Sequence, residues 1–249
     1  MPAKEEALRD YYTVLLEAFS EPNWWPARTS FEVIVGAYLT QNTSWRNVEL
    51  ALANLRRARL LSLRGIRTVS LGKLKSLLRP AGYFRQKALR LKTFVAFLDG
   101  HYAGSLTRMF RQPVAELRAE LLGLNGIGPE TADSILLYAG QQPVFVVDAY
   151  TRRILHRHAI LPETASYEEM RSFCEKALAG VPDRKASPKS GGAPGASHPP
   201  SPMSRARRSP NAQAYNRMHG LIVGVGKHWC LKSQPRCEQC PLQRFLPGI

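Results

Sequence analysis

Apolar side chains recur at helical spacing along most of this chain. Leu8, Tyr11, Tyr12, Leu15, Leu16 and Phe19 share one face of a helix predicted over 5–19. The run Pro22-Asn23-Trp24-Trp25-Pro26 then breaks it, because two adjacent tryptophans between prolines suit no regular element. They either plug a junction or line a pocket for a flat ligand. A strongly apolar helix over 31–39 leads into the polar loop Thr40-Gln41-Asn42-Thr43-Ser44-Trp45, and a further helix is predicted over 48–60. The stretch 74–91 reads as a helix, a Pro80-Ala81-Gly82 turn and a basic helix with Arg85, Lys87 and Arg90, continued over 93–102. Helices over 114–122, 166–179 and 212–227 complete the pattern, and Cys174 falls within the apolar spacing of the 166–179 helix as a core residue. Few strands are expected, so the predicted class is all-α.

The stretch 121–157 organises the rest. Leu124-Asn125-Gly126-Ile127-Gly128 is an apolar turn, and Pro129 opens a helix carrying Ala132, Ile135, Leu136 and Ala139. Two glycines around one apolar residue let the backbone turn sharply, and amide N–H groups beside the positive end of a helix can cradle a phosphate. The plainer reading is a tight turn. An extended apolar run over 143–147 ends at Asp148, followed by a basic helix with Arg152 and Arg153. Asp148 is a helix N-cap or a catalytic acid.

At 249 residues the chain can bury a sizeable core, and its formal net charge of +16 favours a polyanionic partner. No apolar run approaches the ~20 residues of a membrane span, which argues against a membrane partner. The first ten residues are charged and lack the apolar core of a secretion signal, so a soluble, cytoplasmic protein is expected. The segment 183–211 is crowded with Pro, Ser, Gly and Ala, and its six basic side chains against Asp183 make a net of about +5. It should be a disordered basic insertion. Cys230, Cys237 and Cys240 crowd the last part of the chain, which in a reducing compartment points to metal rather than disulfides.

Hairpin, helix, apolar run, Asp and basic helix, in that order, resemble the helix-hairpin-helix glycosylases of base-excision repair, the endonuclease III superfamily. The Trp24-Trp25 and Trp45 positions and the Leu39-Thr40-Gln41-Asn42-Thr43 segment are most similar to its 3-methyladenine branch. The resemblance implies two helical lobes with a DNA-binding groove between them. One spans 31–139 and ends in the hairpin; the other joins 1–30 to 140–249. By the same match, Leu124, Asn125, Gly126, Ile127 and Gly128 grip a DNA phosphate, and Gln41 enters the duplex where the target nucleotide leaves. Asn42, Lys87 and Arg152 are further DNA contacts, although helix caps and a solvated basic face explain Asn42 and Lys87 as simply. Asp148 drives glycosidic cleavage, and Trp24, Trp25, Trp45 and Glu130 form the base pocket. The implied partner is double-stranded DNA with a damaged base, met by a monomeric, nucleoid-associated enzyme.

Two departures from the family pattern carry weight. Bifunctional members place a lysine nucleophile where this chain has Glu130, and a carboxylate forms no imine. A monofunctional enzyme without strand-cleaving activity follows. Cys230, Cys237 and Cys240 match the first three ligands of a [4Fe–4S] loop, but Leu246 stands at the place of the fourth cysteine. A [4Fe–4S] cluster is the expected cofactor, either completed by His228, the nearest substitute ligand, or labile; a zinc site of three Cys and His228, or a vestigial loop, are the alternatives. Rival functions are a glycosylase for mismatched or oxidised bases and a non-catalytic damage-binding protein.

Overall fold

The computed structural model describes residues 2–19, 21–182 and 199–248, and it is all-α, with no strand among those residues. The chain divides into two compact units, one made of 1–26 with 141–249 and the other of 27–140. The boundaries fall at 26/27 and 140/141 rather than at 30/31 and 139/140. Residues 27–30 go with the helix they start: the Thr29 hydroxyl accepts from Glu32 N (3.2 Å), and Arg28 N donates to the Glu32 carboxylate (3.3 Å).

In the discontinuous unit, α1 (Pro2–Ala18) buries Leu8, Tyr11, Tyr12, Leu15 and Leu16, the face expected from its pattern. In the 27–140 unit, α2 (Ser30–Thr40) is buried from Phe31 to Leu39. That burial includes Glu32, whose carboxylate is met by the Arg56 guanidinium of α3 (Trp45–Arg57). Trp45 is therefore the first residue of a helix, not the end of the preceding loop. Next come α4 (Leu63–Thr68), α5 (Leu71–Leu78), a 3-10 turn at Arg79–Ala81 and the long α6 (Phe84–Tyr102). They are followed by α7 (Leu106–Met109), α8 (Val114–Leu122) and α9 (Pro129–Ser134). The periodicity did not predict α4 and α7. Each is too short to show a repeat, and each is started by a serine cap, Ser62 to Gly65 N (3.0 Å) and Ser105 to Arg108 N (3.3 Å). Helix α9 widens into a π-helical turn over Ile135–Ala139, all five residues of which are buried.

The discontinuous unit resumes with α10 (Ala149–Arg157), α11 (Tyr167–Leu178) and α12 (Pro210–His228). Helix α11 starts in a capping box made by Ser166 and Glu169, and the Tyr215 hydroxyl of α12 donates to Glu175 O (2.9 Å). Burial pushes the Cys174 thiol far up, which makes it an inert core residue.

Of the expected disordered insertion, 183–198 lie outside the described residues. The part from 199 to 211 is ordered, contrary to expectation. Met203 is buried, and the Arg208 guanidinium donates to the carbonyls of Met203 (2.7 Å), Ser204 (3.2 Å) and Ala206 (3.1 Å). Ser201 Oγ also donates to Trp25 O (3.3 Å). These backbone bonds order a segment with few apolar side chains to bury. Among the described residues no helix is long and apolar enough to cross a membrane.

Candidate active site

The hairpin lies in the 27–140 unit. Ile127 N closes it on Leu124 O (3.0 Å), and Gly126 takes φ +84, the left-handed region that favours glycine. A Cβ at Gly126 would also stand 1.9 Å from Arg90 Nε, so the glycine admits the arginine. At Gly128, the cap of α9, a Cβ would meet nothing within 4 Å; that face of the hairpin is open. Arg118 of α8 braces α9 with a two-pronged pair to buried Asp133 (2.6 and 3.1 Å). Asn125 and Glu130 are exposed, Leu124 is half-buried and Ile127 is buried.

Gln41 docks on this hairpin. Its Nε2 donates to Gly126 O (2.8 Å) and Thr131 Oγ1 (2.9 Å), and its Oε1 accepts from Arg90 Nη1 (2.9 Å). Asn42 beside it is exposed with φ +53. Lys87, expected on the DNA-facing surface, is instead 1% exposed. Its Nζ donates to Leu39 O (3.0 Å), Gln41 O (2.8 Å) and Ala81 O (2.8 Å), pinning the Gln41 loop to the turn before α6. Three carbonyl partners outcompete solvent for that ammonium, so it is a structural pin and not a phosphate contact. Burial, with the Arg90 charge adding to it, brings Lys87 down to about 8. Tyr83, at the start of α6, is the most exposed large ring near the loop, at 62%. Trp45 is half-buried.

Asp148 belongs to the other unit. The run over 144–147 is almost wholly buried, and it delivers Asp148 to the start of α10 with extended backbone. Oδ1 accepts from Thr151 N (2.8 Å) and from Thr151 Oγ1 (3.0 Å). Oδ2 faces His219 Nε2 of α12 at 3.6 Å, and the two side chains are 13% and 5% exposed. Burial pushes the Asp148 carboxyl up. The His219 charge and the bonds from His219 and Thr151 more than offset this, and hold it below the usual carboxylate range. The residue is thus a cap, one of its two sequence readings, and it also keeps its charge.

Trp24 and Trp25 are buried and meet edge to face at 5.5 Å. Trp24 lies 6.1 Å from the His219 ring, and a Cβ at Gly220 would stand 2.9 Å from Pro22 Cβ and 3.1 Å from Trp24 Cβ. Small Gly220 therefore lets the Pro-flanked segment close on α12. Trp24, His219 and Asp148 are brought together here, whereas Trp45, Glu130, Gln41 and the hairpin sit in the 27–140 unit. Arg152 is half-buried and donates through Nη1 to Ala165 O (2.8 Å). Sequence reasoning missed His219; the available signal was an imidazole at the head of the apolar run Gly220-Leu221-Ile222-Val223.

Cys230, Cys237 and Cys240 line one small pocket with Arg157, His158, Trp229, Gln243 and Leu246. The residues do not fit a four-ligand cluster. Leu246 forms part of the wall, and His228 lies tilted against Trp229 at 5.4 Å and does not line the pocket. His158 does line it, but its Nδ1 is bonded to the Tyr11 hydroxyl (3.1 Å) and its ring bonds the Phe245 backbone. Cys230 Sγ accepts from Arg157 Nη1 at 3.4 Å. Among the described residues no three His, Cys, Asp or Glu side chains gather closely enough to hold a metal ion.

A braced hairpin in an all-α chain, followed by an apolar run and a capped, buried carboxylate, is a helix-hairpin-helix arrangement. The model of the HhH-GPD superfamily of base excision DNA repair proteins matches residues 35–179. A protein of Methanocaldococcus jannaschii, provisionally named a DNA repair glycosylase, is 41% identical over 244 residues, covering 97% of this chain and 96% of its own. Bovine endonuclease III-like protein 1 is 26% identical, over 92% of this chain but only 62% of its own length. Among solved structures, Helicobacter pylori 3-methyladenine DNA glycosylase bound to 1,N6-ethenoadenine superposes with a TM-score of 0.69 at 28% identity, over 90% of this chain and 97% of that one. The chain belongs to the HhH-GPD superfamily and is a base-excision-repair DNA N-glycosylase.

Proposed function

We propose that the protein removes alkylated, 3-methyladenine-like bases from double-stranded DNA by flipping the damaged nucleotide, and that it leaves the abasic strand uncut. The observation that carries the second half is Glu130, exposed one residue into α9, at the place where strand-cleaving relatives need an amine. The alkylated substrate is supported by similarity to the H. pylori enzyme, the neighbour named for such a base.

In the reaction the bond between C1′ and the base nitrogen breaks, and its electron pair leaves with the base. The sugar passes through an oxocarbenium-like state, and water adds to C1′ with loss of a proton. Asp148, kept ionised, stabilises that positive sugar or orients the water. An alkylated purine is cationic and leaves as a neutral base, so it needs little acid catalysis. Stacking of that cation on Trp24 and Trp25 would supply selectivity. The open face at Gly128 suits a phosphate oxygen, with Leu124, Asn125, Gly126 and Ile127 shaping the turn and Asn42 and Arg152 as outlying contacts. To act as the wedge, Gln41 must exchange its bonds to Gly126, Thr131 and Arg90 for contacts inside the duplex. An iron–sulfur cluster at Cys230, Cys237 and Cys240 would need a fourth ligand that this lining does not supply, and no step of the excision chemistry runs through it.

A duplex with 3-methyladenine at one position tests the reading, with released base and strand breaks measured separately. Base release with breaks only after alkali is expected. Breaks without alkali overturn the role of Glu130, and release only of oxidised or mismatched bases overturns the substrate.

A further inference from the structure

We propose that Glu175 and Tyr167 of α11 are positioning residues for Asp148, a role that rests on the reading of Asp148 as the catalytic acid. The run over 144–147 is buried and belongs to no helix, and no strand lies beside it among the described residues. Its amide N–H groups must still find acceptors, because a buried donor left unpaired is costly. Two of them, two residues apart, are met by one helix. Phe145 N donates to Glu175 Oε1 (2.9 Å) and Val147 N to the Tyr167 hydroxyl (3.4 Å). Helix α11 thus does for the run what a neighbouring strand does in a sheet.

Glu175 is itself fixed from two sides. Arg171 Nη1, one turn earlier, donates to both of its carboxylate oxygens (2.9 Å each), and Arg171 Nε donates to Glu168 (3.0 Å). The Tyr215 hydroxyl of α12 donates to Glu175 O (2.9 Å), and the Tyr215 ring meets the Phe145 ring edge to face at 5.9 Å. A carboxylate held in this way is a stronger acceptor for an amide than a neutral oxygen. The Val147 bond is long, so Glu175 carries the larger share.

Most carboxylates bonded to a buried amide serve stability alone. Two features give Glu175 a second role. Phe145 stands three residues before Asp148, and Val146 and Val147 between them are buried, so a shift at Phe145 passes along the chain to the α10 cap. The Phe145 ring also meets the His219 ring edge-on at 6.4 Å, and His219 Nε2 faces Asp148 Oδ2 at 3.6 Å. One anchor therefore sets the place of the carboxylate in the chain and of the side chain that faces it. Misplacing a reacting group by about 1 Å can cost about 100-fold in rate.

Single-turnover excision, DNA affinity and thermal unfolding are measured on variants of the full chain. Glu175→Ala removes the acceptor and should lower the rate about 30-fold, with DNA Kd within about twofold of wild type. Glu175→Gln keeps an oxygen for Phe145 N and should recover to within about threefold of wild type. The decisive measurement repeats Glu175→Ala in an Asp148→Asn background. A residue that acts through the carboxylate has little left to disturb there, so the further loss should stay under about threefold. A merely structural Glu175 would lower the unfolding temperature and leave the rate of the folded enzyme at wild type. That result overturns the inference, as does an equal loss in both backgrounds or a Glu175→Gln as slow as Glu175→Ala. If Glu175→Ala fails to fold, Tyr167→Phe takes its place. It should lose about threefold beside wild-type Asp148 and nothing further in Asp148→Asn, and any other pattern overturns the inference. Full activity in Asp148→Asn alone sinks the reading of Asp148 itself. An inactive Asp148→Asn beside additive losses sinks only the role of α11.

Discussion

Gln41 and Asp148 are held by their surroundings in contrasting ways. Both polar atoms of the Gln41 side chain bond to its own unit, and Lys87 pins the loop beneath through three carbonyls. Asp148 has one oxygen saturated by Thr151, and the other faces an imidazole. A side chain bonded at both polar atoms holds its loop in shape, whereas a half-satisfied carboxylate keeps a charge ready for a second partner. The hairpin region should therefore respond to mutation through stability and DNA affinity, and the Asp148 region through rate. The largest test of that division is Asp148→Asn. The amide keeps an oxygen to accept from Thr151, so the cap survives and stability should change by less than about 1 kcal/mol. The charge is gone, and single-turnover excision should fall about 1,000-fold. A variant that loses stability in place of rate would mean that Asp148 is only a cap.

Lys87 sharpens the other side. Lys87→Met fills the same space and strands the carbonyls of Leu39, Gln41 and Ala81, which should cost about 3 kcal/mol of stability in denaturant unfolding. The salt dependence of DNA binding should not change, because no phosphate contact is removed; a slope lower by about one would restore Lys87 to the interface. A pH signature accompanies it. With Lys87 held at about 8 against an ordinary 10.5, the unfolded chain binds more protons than the folded one across that window. Wild-type stability should climb with pH between those values, and the climb should vanish in Lys87→Met.

What could be read from the sequence follows the range of the interactions. Gly126 and the Asp148 cap were legible because a glycine's φ and an N-cap are settled by residues within a turn of each other. Lys87 was misread because its partners lie 46 and 48 positions away, at Gln41 and Leu39, where no local pattern announces a buried ammonium. His219 was missed for the same reason, since only the fold brings α12 to the cap of α10. The ordering of 199–211 escaped a compositional argument because one guanidinium donating to three carbonyls leaves no mark on apolar content. The three cysteines line one pocket, but its wall built by Leu246 and a His158 already bonded could be seen only in three dimensions.

The smallest expected effect probes the hairpin itself. Gly126 sits at φ +84, and Arg90 occupies the space where a Cβ would go, with Nε 1.9 Å from it. Gly126→Ala must therefore strain the backbone and displace the Arg90 side chain, which is the cheaper of the two because a guanidinium can swing. Its displacement releases the Nη1 bond to Gln41 Oε1, so one substitution loosens the hairpin and the Gln41 side chain together. DNA affinity should weaken about tenfold at fixed salt, while single-turnover excision at saturating DNA changes by less than about threefold. If the rate fell as steeply as the affinity, the hairpin would be shaping the reacting geometry as well as holding the strand, and the division of labour between the two regions would fail.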